Sequence, residues 1–203
     1  VIELIAKGGI AMYPIMLCSI IALAVFIERI WTLRRSKVIP LEFISQIEEK
    51  VKARRIPEAI YLCENDGSSI AKIFYAGLKA TGKGMWLVKE AIEDRGNREG
   101  LILEKYVGLL STIAQMSTLL GLLGTVSGMI KTFKAISQAG ENPALLAGGI
   151  AEALIATFSG LCVAVPTMAF HRILKDKASS LIYEMEESSL KLIELIEDSH
   201  SKE

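Results

Sequence analysis

Three stretches of this chain carry no charged side chain. Residues 8–27 form a run of 20, residues 106–130 a run of 25, and residues 153–170 a run of 18. Residues 142–151 extend the last run upstream, giving 29 residues interrupted only by Glu152. A bilayer core ~30 Å thick is crossed by ~20 helical residues, so each run is long enough to span it. A soluble core explains them poorly, because 203 residues cannot wrap three such helices. Residues 10–31, 106–131 and 149–171 are therefore predicted as transmembrane helices. The first run lacks a basic start and a clear small-residue cleavage site, and it ends in Glu28-Arg29, so it reads as a retained span and not as a signal peptide.

The segments between the runs change pattern. Residues 32–105 read as a helical domain. Pro40 can open a helix carrying Leu41, Ile44, Ile47 and Val51, and Pro57 a second that stops near Asn65-Asp66-Gly67. Ser69 can cap a third with Ile70, Ile73, Phe74 and Leu78, leaving through Thr81-Gly82-Lys83-Gly84. From Met85 a helix is predicted to run straight into the second span. Residues 172–203 keep a heptad-like stripe of Leu174, Ala178, Leu181, Met185, Ser188, Leu192 and Leu195, which predicts a continuing helix. Residues 1–9 are predicted as an outer N-terminus and residues 132–148 as an outer loop.

Lys and Arg near the span ends set the orientation. Arg29, Arg34, Arg35, Lys37, Arg95, Arg98, Lys105, Arg172, Lys175 and Lys177 lie on one side, against Lys7, Lys131 and Lys134 on the other. The basic side is the cytoplasmic one. The N-terminus is thus predicted outside, with 32–105 and the C-terminal helix in the cytoplasm.

Composition adds exclusions. Twenty-three basic residues balance 23 acidic ones, which argues against nucleic-acid binding through bulk positive charge. The mean hydropathy of +0.40 coexists with 23% charged residues only because the two are segregated along the chain. Cys18, Cys63 and Cys162 form no CxxC pair and read as buried thiols, with no metal ligand set. Gly82 and Gly84 lack the spacing of a phosphate loop, and His171 and His200 belong to no nucleophile–base set. The pattern predicts neither an enzyme nor a cofactor.

Within the spans, residue size sorts by face. At ~100° per residue, Glu152, Ala156, Gly149, Thr167, Gly160, Ala153, Ala164 and Thr157 fill one arc, and Leu161, Leu154, Val165, Phe158, Cys162 and Ile155 fill the opposite one. In the second span, Ser111, Gln115, Thr118, Leu122 and Thr125 lie near one line, and Ser117, Gly121, Gly124 and Gly128 on the next. Glycines let helices approach closely. Packing within one subunit accounts for them. It accounts less well for the polar line, which is better placed lining a pore around the axis of an oligomer. Glu152, at the outer edge of the third span, is costly without a use or a partner, unless it reaches interface water. No carboxylate lies at mid-depth, so an ion path here would need a titrating group from another chain.

The stretch Gly121-Leu122-Leu123-Gly124-Thr125-Val126-Ser127-Gly128-Met129 resembles the second-span signature of the MotA/TolQ/ExbB proton-channel family. Glu152-Ala153-Leu154-Ile155-Ala156-Thr157, with Gly160-Leu161 and Ala164-Val165-Pro166, resembles its third. Lys7-Gly8-Gly9, Tyr13-Pro14 and Ile27-Glu28-Arg29 resemble its first. Three spans point to the ExbB/TolQ branch. Ser127, where many members carry tryptophan, and Phe170-His171-Arg172 depart from the pattern.

The resemblance implies an all-α subunit of the bacterial inner membrane. Such subunits form a homo-oligomeric ring, typically a pentamer, around a dimer of single-span ExbD- or TolR-like partners whose aspartate takes the proton, and a TonB- or TolA-like protein receives the work. By motif position, Thr125 and Thr157 would be pore hydroxyls and Glu152 the acid near the outer mouth, with Gly121, Gly124, Gly128, Gly160 and Pro166 as packing residues. A membrane scaffold with a cytoplasmic docking module is the alternative. The energised process, and proton against sodium, stay open.

Overall fold

The computed structural model describes residues 9–139 and 143–200 and is all-helical over them. The helices are α1 (Met12–Thr32), α2 (Arg35–Val38), α3 (Leu41–Lys52), α4 (Ile56–Asn65), α5 (Ser69–Ala80), α6 (Met85–Glu104), α7 (Val107–Ala139) and α8 (Pro143–His200). Three segments, Met12–Thr32, Met85–Ser137 and Ala147–Asp198, contain windows long and apolar enough to cross a membrane. The described residues divide into two compact units, one within 1–29 and 106–173 and the other within 30–105 and 174–203.

The first unit is built from α1, α7 and the first part of α8. Met12, Ile15, Ala22 and Arg29 are the buried residues of α1, while Leu17, Ile20, Leu23 and Ile27 stand exposed. Bulk turned outward suits a lipid solvent. Phe26 stacks on Phe170 at 4.0 Å, and the Arg29 guanidinium lies 5.1 Å above the Tyr106 ring. Pro166 removes the N–H that the Cys162 carbonyl would receive in an unbroken ladder, yet α8 continues through it.

Two boundaries differ from the sequence reading. The helix from Met85 does not run directly into the second span: it ends at Glu104, and Tyr106 adopts φ +66°, a left-handed conformation that closes a helix. No glycine or proline marks that break. Residues 132–148, predicted as a loop, are helical to Ala139 and again from Pro143. Residues 131–139 contain no breaker, and proline suits a first helical position. Residues 1–8 and 140–142, where an outer N-terminus and part of that loop were predicted, lie outside the described residues.

The second unit packs α2–α6 with the rest of α8. α3 buries Phe43, Ile44, Ile47 and Val51, whereas Leu41, predicted inward, is exposed. The cap of α5 is Ser68, one residue before the predicted Ser69. Its hydroxyl accepts from the Ala71 N–H at 3.3 Å, and its own N–H donates to Asp66 Oδ1 at 2.8 Å. Gly77 of α5 has no room for a Cβ, which would sit 2.6 Å from the Ile92 side chain of α6.

Glu99 of α6 is fully buried, with Arg95 Nη2 at 2.8 Å and Lys72 Nζ at 3.7 Å. Two cations around one carboxylate offset part of its desolvation, while neither carboxylate oxygen meets hydrogen-bond geometry. The buried stripe of α8 is Leu174, Ala178, Leu181, Met185, Ser189, Leu192 and Ile196. It repeats every 11 residues, about 3.67 per turn, and so avoids the drift a seven-residue repeat would show on a straight helix. Ser188 and Leu195, predicted on the stripe, are half-buried beside it.

Candidate functional site

The seam between α7 and α8 is made of small residues. Ser117, Gly121, Gly124 and Gly128 are buried on α7, facing Ala153, Ala156, Gly160 and Ala164 on α8. A Cβ on Gly160 would stand 2.5 Å from the Ser117 carbonyl oxygen and 3.0 Å from the Gly121 Cα. One on Gly128 would stand 2.8 Å from the Ala153 Cβ, and one on Gly124 would collide with the Ala156 methyl and lie 3.2 Å from that of Ala11. Backbone therefore meets backbone at Gly121–Gly160. In an apolar solvent, association rests on such close packing and on hydrogen bonds.

Both flanks of this seam carry polar groups, and they differ. On one flank, the Thr157 hydroxyl donates across the seam to the Gly121 carbonyl at 3.0 Å. In the helical ladder that carbonyl also receives the N–H of Thr125, so the two threonines meet at one oxygen. The Thr125 hydroxyl donates to the Leu122 carbonyl of its own helix at 2.6 Å. Each hydroxyl keeps lone pairs with which to accept. Along the same flank, Gln115, Thr118 and Leu122 are exposed and Ser111 and Thr125 half-exposed. The chain's own helices cover the glycine line and leave the neighbouring hydroxyl line open. Leu154, Phe158, Leu161 and Val165 form an exposed apolar face of α8.

On the other flank, Glu152 Oε1 accepts from Lys131 Nζ of α7 at 2.6 Å. Gly9, just before α1, lies against the same carboxylate with φ +70°, and a Cβ there would collide with Glu152 Oε1. At ~100° per residue Lys131 stands roughly 150° or more from Ser111 and Leu122, and Glu152 ~140° from Thr157. The structure thus brings Thr125 and Thr157 together and holds Glu152 apart from them. Pro166, grouped with the packing residues by its motif, is exposed in the single chain.

Sequence reasoning counted Lys131 only toward orientation. Its pairing follows from the packing and not from the sequence: Gly128 lies against Ala153, which brings the residue one turn beyond the first near the residue just before the second. The buried hydroxyl of Thr132 gave no signal in the sequence, whereas Thr167, predicted on the small-residue face, is buried there. Each donates within its own helix, to the Gly128 carbonyl at 2.9 Å and the Val163 carbonyl at 2.7 Å.

Residues 65–187, which include this whole seam, match the model of the MotA/TolQ/ExbB proton channel family. The chain belongs to that family. Among relatives in the MotA/TolQ/ExbB group, an ExbB-like biopolymer transport protein of Synechocystis is 34% identical over 178 residues, covering 83% of this chain and 68% of that one. An ExbB homolog of Methanothermobacter thermautotrophicus is 29% identical over 92% of this chain and 67% of its own length. The Tol-Pal system protein TolQ of Haemophilus influenzae is 47% identical over 79 residues, 38% of this chain and 35% of that protein. The chain is a membrane subunit of the ExbB/TolQ branch of the family.

Proposed function

We propose that the chain is the ring-forming subunit of an inner-membrane motor that spends the proton motive force on work at the cell envelope. A pentameric ring would surround a dimer of single-span ExbD- or TolR-like partners, with a TonB- or TolA-like protein receiving the work. The N-terminus would lie in the periplasm, and residues 32–105 with the C-terminal helix in the cytoplasm. The observation that carries this reading is the hydroxyl flank of α7, left open beside a seam the chain seals with its own α8.

An open polar flank in a membrane helix calls for protein or water against it. A partner segment bearing an acid meets that need. Thr125 and Thr157, whose hydroxyl protons are committed to carbonyls, would accept a hydrogen bond from that acid when it carries a proton. Loss of the proton removes the donor and weakens the contact, which ties the partner's position to its charge.

The test is proton uptake into vesicles from cells making the chain with its single-span partner. Thr125→Val should slow uptake about tenfold or more, while Thr125→Ser, which keeps the hydroxyl, stays near the parent rate. Thr125 suits this test because its hydroxyl bonds only its own helix. Uptake by Thr125→Val at the parent rate, with the complex assembled, would refute the reading.

A further inference from the structure

Glu152 is the one carboxylate inside a 29-residue stretch otherwise free of charge, and the resemblance of its motif would make it an acid near the outer mouth. The geometry assigns it a different task. It lies on the flank of α8 opposite Thr157, it is bound by Lys131 of α7 at 2.6 Å, and its carboxylate abuts Gly9. Three segments meet at that one group: α8, α7 and the lead into α1. Gly124 against Ala11 and Ala156 closes the same corner further in, and Thr132 lies against Gly149 one turn before Glu152.

We infer that Lys131 and Glu152 are a charge latch: a positioning pair that fixes the outer end of the α7–α8 seam and the start of α1, while ions pass along the opposite flank without using the Glu152 carboxylate. A latch needs opposite charges at 131 and 152 and is indifferent to which position holds which. An ion carrier needs the carboxylate at 152. Removing the ammonium alone leaves a carboxylate without its counter-charge in an apolar stretch, and reversing one member sets like charges together. Either change loosens the seam on which the Thr157–Gly121 hydrogen bond depends.

The inference rests on the proton-channel reading, and the test separates the failure of one from the failure of the other. Proton uptake is measured in vesicles holding the full complex for the parent, Glu152→Lys, Lys131→Glu, the exchanged pair Lys131→Glu/Glu152→Lys, and Lys131→Gln/Glu152→Gln. The single reversals should lose about tenfold or more, and the exchanged pair should return to within roughly threefold of the parent. The pH dependence of its uptake should match the parent's, which a carrier carboxylate moved to another helix would not allow. If the reversals fail to assemble, recovery of both assembly and uptake in the exchanged pair carries the same meaning. Loss of uptake in the exchanged pair, with the complex assembled, overturns the latch. A parent complex that takes up no protons overturns the channel reading instead.

Discussion

Gly160→Ala tests the seam directly. The added methyl would stand 2.5 Å from the Ser117 carbonyl oxygen, a backbone atom that no side-chain rotation can move. Ordinary C···O approaches are about 3.3 Å or more, so α7 and α8 must part by ~0.8 Å. That shift lengthens the Thr157–Gly121 hydrogen bond from 3.0 Å to about 3.8 Å, beyond bonding range. Interhelical hydrogen bonds in membranes average about 0.6 kcal/mol, with a maximum near 1.7. Overpacking adds about 1–3 kcal/mol. Replacing a helical glycine by alanine returns at most about 1 kcal/mol. The net loss is therefore about 1–3 kcal/mol, read as the unfolding free energy in micelles or bilayers. Gly96→Ala gives the contrast, because nothing lies within 4 Å of a Cβ there. It should gain about 0.5–1 kcal/mol from propensity alone. A Gly160→Ala protein as stable as the parent would refute the close-packed seam.

Other expectations concern the second unit. Arg95→Met leaves the buried Glu99 with only Lys72 at 3.7 Å and should cost about 3 kcal/mol in denaturant unfolding. An unchanged midpoint and slope would contradict the ion cluster. Ser189→Glu places a carboxylate on the buried stripe of α8 and should destabilise by more than ~2 kcal/mol, while Ser188→Glu beside it stays within about 0.5. Equal effects would refute the 11-residue register. Burial, helped by the charge of Asp66, pushes the Cys63 thiol up to about 12, so it stays protonated and its alkylation should remain slow through pH 10. A rate climbing between pH 8 and 9 would contradict its placement.

The three apolar runs were legible because a membrane demands length and the absence of charge, and both can be counted. The small-residue faces were legible because glycine and alanine have one physical use at a helix seam. The interruption at Tyr106 was not, since a left-handed tyrosine leaves no compositional mark and its ring is held by Arg29, 77 residues away. The loop at 132–148 was drawn too long because hydropathy falls at Lys131 and Lys134 while the helix does not. Charge ends a hydrophobic run without ending a helix. The heptad reading of α8 erred by one residue at Ser188 and again at Leu195, where a stripe of period 3.67 departs from one of 3.5. The motif grouped Thr125, Thr157 and Glu152, but the helical wheel alone sets Glu152 ~140° from Thr157, and the seam accordingly sends the threonines to one flank and the glutamate to the other.

In the assembled complex the hydroxyl flank of α7 should face protein or water and not lipid. Spin labels placed singly at Thr118, Leu122 and Thr125, and at Leu119, Leu123 and Ile130, after replacing Cys18, Cys63 and Cys162, report this through collision with oxygen, which concentrates in the hydrocarbon. Oxygen accessibility should be lowest at 118, 122 and 125 and highest at 119, 123 and 130. The reverse pattern, with the threonine line richest in oxygen, would contradict the account.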